Sequence, residues 1–293
     1  MTAQPLTIFD LVHGAYGFVS GHLTELFDLG KGPAVVAVAL GLLFDLSTVF
    51  QATPVYTFAT MIAFSWFSFY IFRLILLGPG KARPPAPPTS SGEAPARQRP
   101  LLANFMGRAL TLGIAALGVF FLITIIIVFP LAMAQSLVES PEARLVEAGF
   151  EAVDTLILTF ALFGLPVAIP LARYAAVLPP TAIGRDTALG AAWRLSRGYG
   201  LKLACAWMVI AAPYVLSYAI LNAALTQLSR TMGGDGAGII VNLIALILVT
   251  AMGLTITALA THATARTWSA MTAIPTPGDR PQGPRETMGV TWD

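Results

Sequence analysis

The segment RYAAVLPPTAIGRDTALGAAWRLSRG, residues 173–198, carries Arg173, Arg185, Arg194 and Arg197 around Trp193, and Lys202 follows it. Guanidinium groups are forked donors suited to phosphate oxygens, and an indole ring favours the headgroup level of a bilayer. The chemistry this set can do is contact with anionic headgroups or with an acidic partner. Its bland alternative is that the positive charge only fixes which side of a membrane the segment occupies. A second candidate set is polar residues inside apolar runs, namely Asp45, Asn222 and Asn242. A charge at the bilayer centre costs on the order of 3 kcal/mol, so Asp45 either lines an outward-facing polar cavity with the two Asn residues or reaches interfacial water. The cavity version belongs to a small transporter or channel.

Catalytic constellations are not apparent. His13 and His22 are nine residues apart, which puts them on opposite faces of one helix and excludes a joint metal site there. Asp10 with His13, and His22 with Glu25, have the spacing of ordinary surface pairs. His262 and Arg266, one turn apart, read as a pair snorkelling to the interface. The lone Cys205 offers no intrachain disulfide or thiolate site. The GGDG stretch 233–236 lacks the Lys and the preceding strand of a phosphate loop and reads as a turn. No catalytic residue, metal or cofactor is expected.

The elements that must position these residues follow from composition. Of the 293 residues 56% are hydrophobic and 11% charged, against roughly 25% charged in soluble domains. The chain is expected to be an all-α integral membrane protein. A net charge of +2, with no basic stripe, excludes nucleic acid as a partner. Six runs have the roughly 20 apolar residues a spanning helix needs: 33–51, 54–77, 107–135, 153–178, 201–225 and 237–265. Residues 33–77 should form a tight hairpin of the first two spans, and 101–271 a four-span region. Between them, 78–100 is a Pro-rich loop that cannot bury a core. Residues 136–151 read as an acidic loop with Ser140 as a helix cap, and 272–293 as an unstructured tail. The start has no basic n-region or compact apolar h-region, so it should remain in the mature chain. Within residues 1–32, Thr7 to Phe27 repeats apolar residues at helical spacing and predicts an amphipathic interfacial helix. Its polar face lacks Lys and Arg, which makes packing against the bundle its anchor.

Lys81, Arg83, Arg97 and Arg99 follow the second run, with Arg73 and Arg108 at the edges; Arg173, Arg185, Arg194, Arg197 and Lys202 follow the fourth. The other loops between runs hold only Arg144 and Arg230, so the positive-inside rule puts both termini and the segment 179–199 in the cytoplasm. That segment is a cytoplasmic elbow: Pro179-Pro180 stops the fourth span, and Asp186 or Thr187 caps a short helix running to Arg197. Thr250, Gly253, Thr257, Ala260, Thr261 and Thr264 lie along one side of the last span and predict a packing seam.

The residues Leu178, Pro179, Ala192, Trp193, Arg194, Leu195, Arg197 and Gly198, in this order between two spans, resemble a bacterial six-span membrane domain. In some proteins that domain is fused to a glycerophosphodiester phosphodiesterase, and it has uncharacterised stand-alone relatives. This chain has Ser196 where that family often has Thr. The resemblance implies a six-span fold in the bacterial inner membrane and a non-catalytic auxiliary or scaffolding role, with membrane lipids or another membrane protein complex as partners. It implies no enzyme, since no phosphodiesterase domain is present. In a Cys205→Ala background, Cys placed at Ser91 should stay shielded from an impermeant thiol reagent in intact cells, while Cys at Ser140 or Asp235 should label; labelling of Ser91 would overturn the orientation.

Overall fold

In the apolar runs backbone N–H and C=O groups have no water to bond, so each run must satisfy its own backbone as a helix. The computed structural model describes residues 6–46, 53–82, 99–123, 164–185, 187–232 and 235–272. Every regular element among them is helical: α1 (Ile8–Gly21), α2 (Leu23–Leu46), α3 (Thr53–Leu77), a 3-10 turn at Pro79–Lys81, α4 (Arg99–Ile123), α5 (164–175), α6 (Leu178–Ala182), α7 (Leu189–Leu195), α8 (Gly200–Met232) and α9 (Asp235–Thr272). Among the described residues, four stretches are long and apolar enough to cross a membrane: Thr60–Leu77, Leu101–Val119, Gly200–Leu221 and Leu243–Thr272. Most of the Pro-rich loop, the acidic loop with Ser140, residues 124–135 and 153–163 of the third and fourth runs, Asp186, Gly233-Gly234 and the tail from 273 lie outside the described residues.

The chain turns earlier than its proline predicts. The amphipathic segment is not one helix to Phe27; it breaks at His22, whose N–H is shared between the Phe18 and Val19 carbonyls. Leu23 to Phe27 then open α2, which passes through Pro33 without ending. Proline removes one helical hydrogen bond, but Pro33 is fully buried and the packing around it holds the helix together. At its start α1 is fixed by a reciprocal box in which Asp10 N–H donates to Thr7 Oγ1 at 3.1 Å, while Thr7 N–H and Oγ1–H donate to the Asp10 carboxylate at 2.9 and 2.6 Å. These bonds to Thr7 hold the Asp10 carboxyl below its ordinary value of 3.8.

α9 is the common wall of the assembly, packing against α1, α2, α3 and α8. Its C-terminal half is buried at Ala258, Leu259, Thr261, His262, Ala263, Thr264, Ala265, Thr267, Trp268 and Ser269. Small side chains allow this crowding. Three of the hydroxyls along this helix are satisfied inside it: Thr257, Thr264 and Thr267 donate to the carbonyls four residues back, at 2.7 to 2.8 Å. Thr261 Oγ1–H reaches across to Ser68 Oγ at 3.3 Å and so joins α9 to α3. The seam expected from Thr250, Gly253, Thr257, Ala260, Thr261 and Thr264 is a packing surface, with Thr250, Thr261 and Thr264 buried.

Two cores flank this wall. On one side Phe67, Phe69 and Phe72 of α3 meet Phe105 of α4; Phe105 lies edge-on to Phe69 and Phe72 at 5.4 and 5.8 Å. On the other, Leu11 and Ala15 of α1 enter the valley formed by Ala172 of α5, Leu203 and Ile210 of α8, and Leu259 and Ala263 of α9. His262 is not a snorkelling residue. It is 7% exposed and stacks on Phe18 of α1 at 4.8 Å, with its imidazole edge beside Gly14.

Gly253 marks the tightest approach of α9 to α3: a Cβ there would stand 2.7 Å from Phe64 Cζ. Gly253→Val should therefore lower stability by about 1–3 kcal/mol, the usual cost of overpacking, read as a lower detergent melting temperature. An unchanged melt would mean that Phe64 yields freely.

Candidate functional site

The elbow between α5 and α8 is built by its prolines and glycines. Pro179 and Pro180 do more than stop a helix; they occupy the first turn of α6, where a missing N–H costs nothing. α6 closes on Gly184 at φ 83°, a left-handed conformation suited to glycine, and Arg185 N–H returns to Pro180 O at 2.8 Å. α7 starts from Ala188, which supplies no side-chain cap, so Thr187 is not its N-cap, while Asp186 lies outside the described residues. The carbonyl of Thr187 is used differently, as an acceptor from Arg108. α7 ends at Leu195, with Ser196 as its C-cap and Gly198 at φ 89° turning the chain into α8. The Ser196 hydroxyl is buried and donates to Trp193 O at 3.2 Å, a bond that a Thr hydroxyl could also make.

The expected basic set divides into two groups. Arg173 faces inward: its guanidinium carbon lies 3.6 Å from the centre of the Trp193 ring, and its Nη2–H donates to Trp193 O at 3.0 Å. Tyr174 tilts against the same indole at 4.8 Å. The Arg173 stem crosses Gly200, where a Cβ would collide with Arg173 Cγ. Lys202 is also engaged within the protein, donating to Leu6 O at 3.1 Å and thereby tying the entry to α1 onto the start of α8. Arg185, Arg194 and Arg197, by contrast, are exposed. Trp193 is half-buried, so its ring both packs inward and leaves an edge outside.

Two arginines carry more of the elbow than the sequence reading gave them. Arg73, near the end of α3, donates to three carbonyls: Ala82 at 3.3 Å, Lys81 at 3.2 Å and Ala182 at 3.1 Å. It gathers the turn after α3 and the end of α6 onto one side chain. Arg108 of α4 donates from Nη1 to Thr181 Oγ1 at 2.7 Å and to Thr187 O at 3.0 Å. Hydrogen bonds from charged donors are worth about 1.5–3 kcal/mol each, which makes these forks the main polar fixation of α6. The sequence reading used both residues only as charges for orientation. The available signal was an arginine set one turn inside an apolar run, where a free guanidinium would be costly.

The second candidate set is placed by backbone alone. Asp45 lies in α2, Asn222 in α8 and Asn242 in α9; their side chains lie outside the described residues. Asp10 is committed to Thr7, and His13 stacks on Phe9 at 5.6 Å. His22 stacks on Phe18 at 4.6 Å, with its Nδ1 3.0 Å from Phe18 O.

Comparison of the chain with protein-family models, with curated proteins and with solved structures found no match.

Arg173→Lys keeps the charge but loses the planar stack and the fork. It should destabilise the protein by about 1–2 kcal/mol and make Trp193 more accessible to an aqueous fluorescence quencher. Unaltered quenching would show that Tyr174 and Ser196 suffice to hold the indole.

Proposed function

We propose that this chain is a non-catalytic, multi-pass protein of the bacterial inner membrane, with an auxiliary or scaffolding role exercised through its cytoplasmic elbow. In this reading the chain has six spans and both termini inside, and α1 lies along the inner interface. There Phe9 and Tyr16 of α1, with Leu23 and Phe27 at the start of α2, all exposed, would meet lipid. The observation that carries the reading is the division among the basic residues. Arg73, Arg108, Arg173 and Lys202 donate to groups of the protein itself and make the elbow rigid, while Arg185, Arg194 and Arg197 stand exposed on it. A rigid mount presenting exposed guanidinium groups beside a half-buried Trp suits lipid phosphates or an acidic protein surface. The local resemblance of residues 173–202 to the six-span membrane domain points to the same auxiliary role.

Each basic residue near an anionic leaflet is worth about 1 kcal/mol. Arg194→Glu with Arg197→Glu should therefore weaken binding to anionic vesicles, or recovery of a cytoplasmic partner, by a factor of roughly 30 or more per inserted molecule. The amount of inserted, folded protein should stay near the wild-type level because neither side chain is a structural donor. Unchanged lipid and partner recovery would reduce the cluster to a topology signal.

A further inference from the structure

The elbow does not stand clear of the helices; it lies alongside α4. Gly184 sits against Leu101, where a Cβ would come 3.4 Å from Leu101 Cδ2, and Arg108 donates to Thr181 and Thr187. Ala192 of α7 clusters with Ala176 and Val177, and Leu112 of α4 packs against that cluster. Leu112 is about 6 Å further along α4 than Arg108. It lies well inside Leu101–Val119, a stretch apolar enough to cross a membrane. The level of α7 is thus that of an apolar span, and not of the space beyond its end.

The outward side of α7 has two flanks. Ala192 and Ser196 are buried against the bundle. At about 100° per residue, Ala188, Ala191 and Leu195 fall in one stripe, and Gly190, Arg194 and Arg197 in the next. Leu195 is 39% exposed, and both arginines are exposed beside it. The Trp193 ring is already covered by the Arg173 guanidinium, so outward contact falls to these two stripes. A helix fixed sideways to a bundle, with one apolar and one basic flank, fits the boundary between hydrocarbon and headgroups. There the leucine points down among acyl chains and the guanidinium groups point up to phosphate. Among the described residues of the elbow no side chain is acidic, so the complementary surface is anionic. An acidic soluble protein would have to reach the level of Leu112, where lipid chains already surround the bundle.

We propose that α7 is an interfacial anchor, which inserts the Ala188–Ala191–Leu195 stripe below the phosphates of an anionic leaflet and binds those phosphates through Arg194 and Arg197. The inference rests on the membrane placement and elbow role proposed above, and it chooses the lipid surface over an acidic protein. To test it, the full chain with Cys205→Ala receives a single bimane-labelled Cys by Leu195→Cys, or by Ala191→Cys if the first variant does not fold. Gly190→Cys, where a Cβ meets open space, and Leu216→Cys, on the exposed face of α8, are labelled separately. Each protein is reconstituted in vesicles of equal parts phosphatidylethanolamine and phosphatidylglycerol, with the acyl chains of one lipid brominated at a time. Brominated chains should quench Leu195→Cys more strongly than Gly190→Cys, and aqueous iodide should do the reverse. Brominated phosphatidylglycerol should quench Leu195→Cys about fivefold more than brominated phosphatidylethanolamine, the enrichment that one basic residue near an anionic leaflet supports. Arg194→Gln with Arg197→Gln should remove that difference.

Quenching of Leu195→Cys by iodide and not by brominated chains, with Leu216→Cys still quenched by bromine, would overturn the anchor and leave the elbow open to a protein partner. Equal quenching by the two brominated lipids would overturn it as well, because the arginines would then gather no anionic headgroups. Quenching of Leu216→Cys by iodide and not by bromine is a separate result and would sink the membrane reading itself.

Discussion

The C-terminal half of α9 must pass between α1, α2, α3 and α8 with little side-chain volume to spare. Ala258, Ala263 and Ala265 keep it narrow, and Thr261, Thr264, Thr267 and Ser269 keep it narrow at the cost of burying hydroxyls. Thr264 and Thr267 meet that cost within the helix by donating to carbonyls a turn earlier, and Thr261 meets it by reaching Ser68 on α3. His262, also buried in this stretch, stacks on the Phe18 ring of α1 and lies beside Gly14. Close approach, and not apolar bulk, is therefore what organises the helices around α9. The aromatic cluster of α3 and α4 then fills the space that remains on the far side.

The elbow obeys a different economy. It is too short and too rich in Pro and Gly to hold itself by helical hydrogen bonding, so its free carbonyls are collected by guanidinium forks from helices that lie far away in sequence. Arg73 takes the carbonyl of Ala182, 109 residues distant, and Arg108 takes the Thr181 hydroxyl, 73 residues distant. Arg173 acts locally by clamping Trp193 from both its ring face and its carbonyl. The basic residues of this segment thus fall into two groups, and which group a given arginine joins depends on whether a protein acceptor stands within reach.

Much of this was legible in the sequence. The helical class, the Pro-Pro elbow between two apolar runs, and the small-residue seam of α9 all follow from patterns within a single segment. The Thr7–Asp10 box could also have been read, since the two residues have the spacing of a reciprocal cap. What could not be read were the facts that need two segments at once. Pro33 looks like a helix start, yet tertiary packing carries α2 through it. His262 looks interfacial beside Arg266, and only the neighbouring α1 reveals why it is buried. The division of the basic residues into inward and exposed groups depends on where distant carbonyls fall, which no spacing rule encodes.

The bond from Lys202 to Leu6 joins positions 196 residues apart, and Leu11 and Ala15 of α1 rest on α8 and α9. α1 can therefore find its seat only once α8 and α9, far along the chain, are in place. Until then its apolar face needs another cover, which the lipid interface can provide. Contacts of such long sequence separation slow the final step of folding, so closure of α1 onto the late helices sets the moment at which the assembly becomes complete.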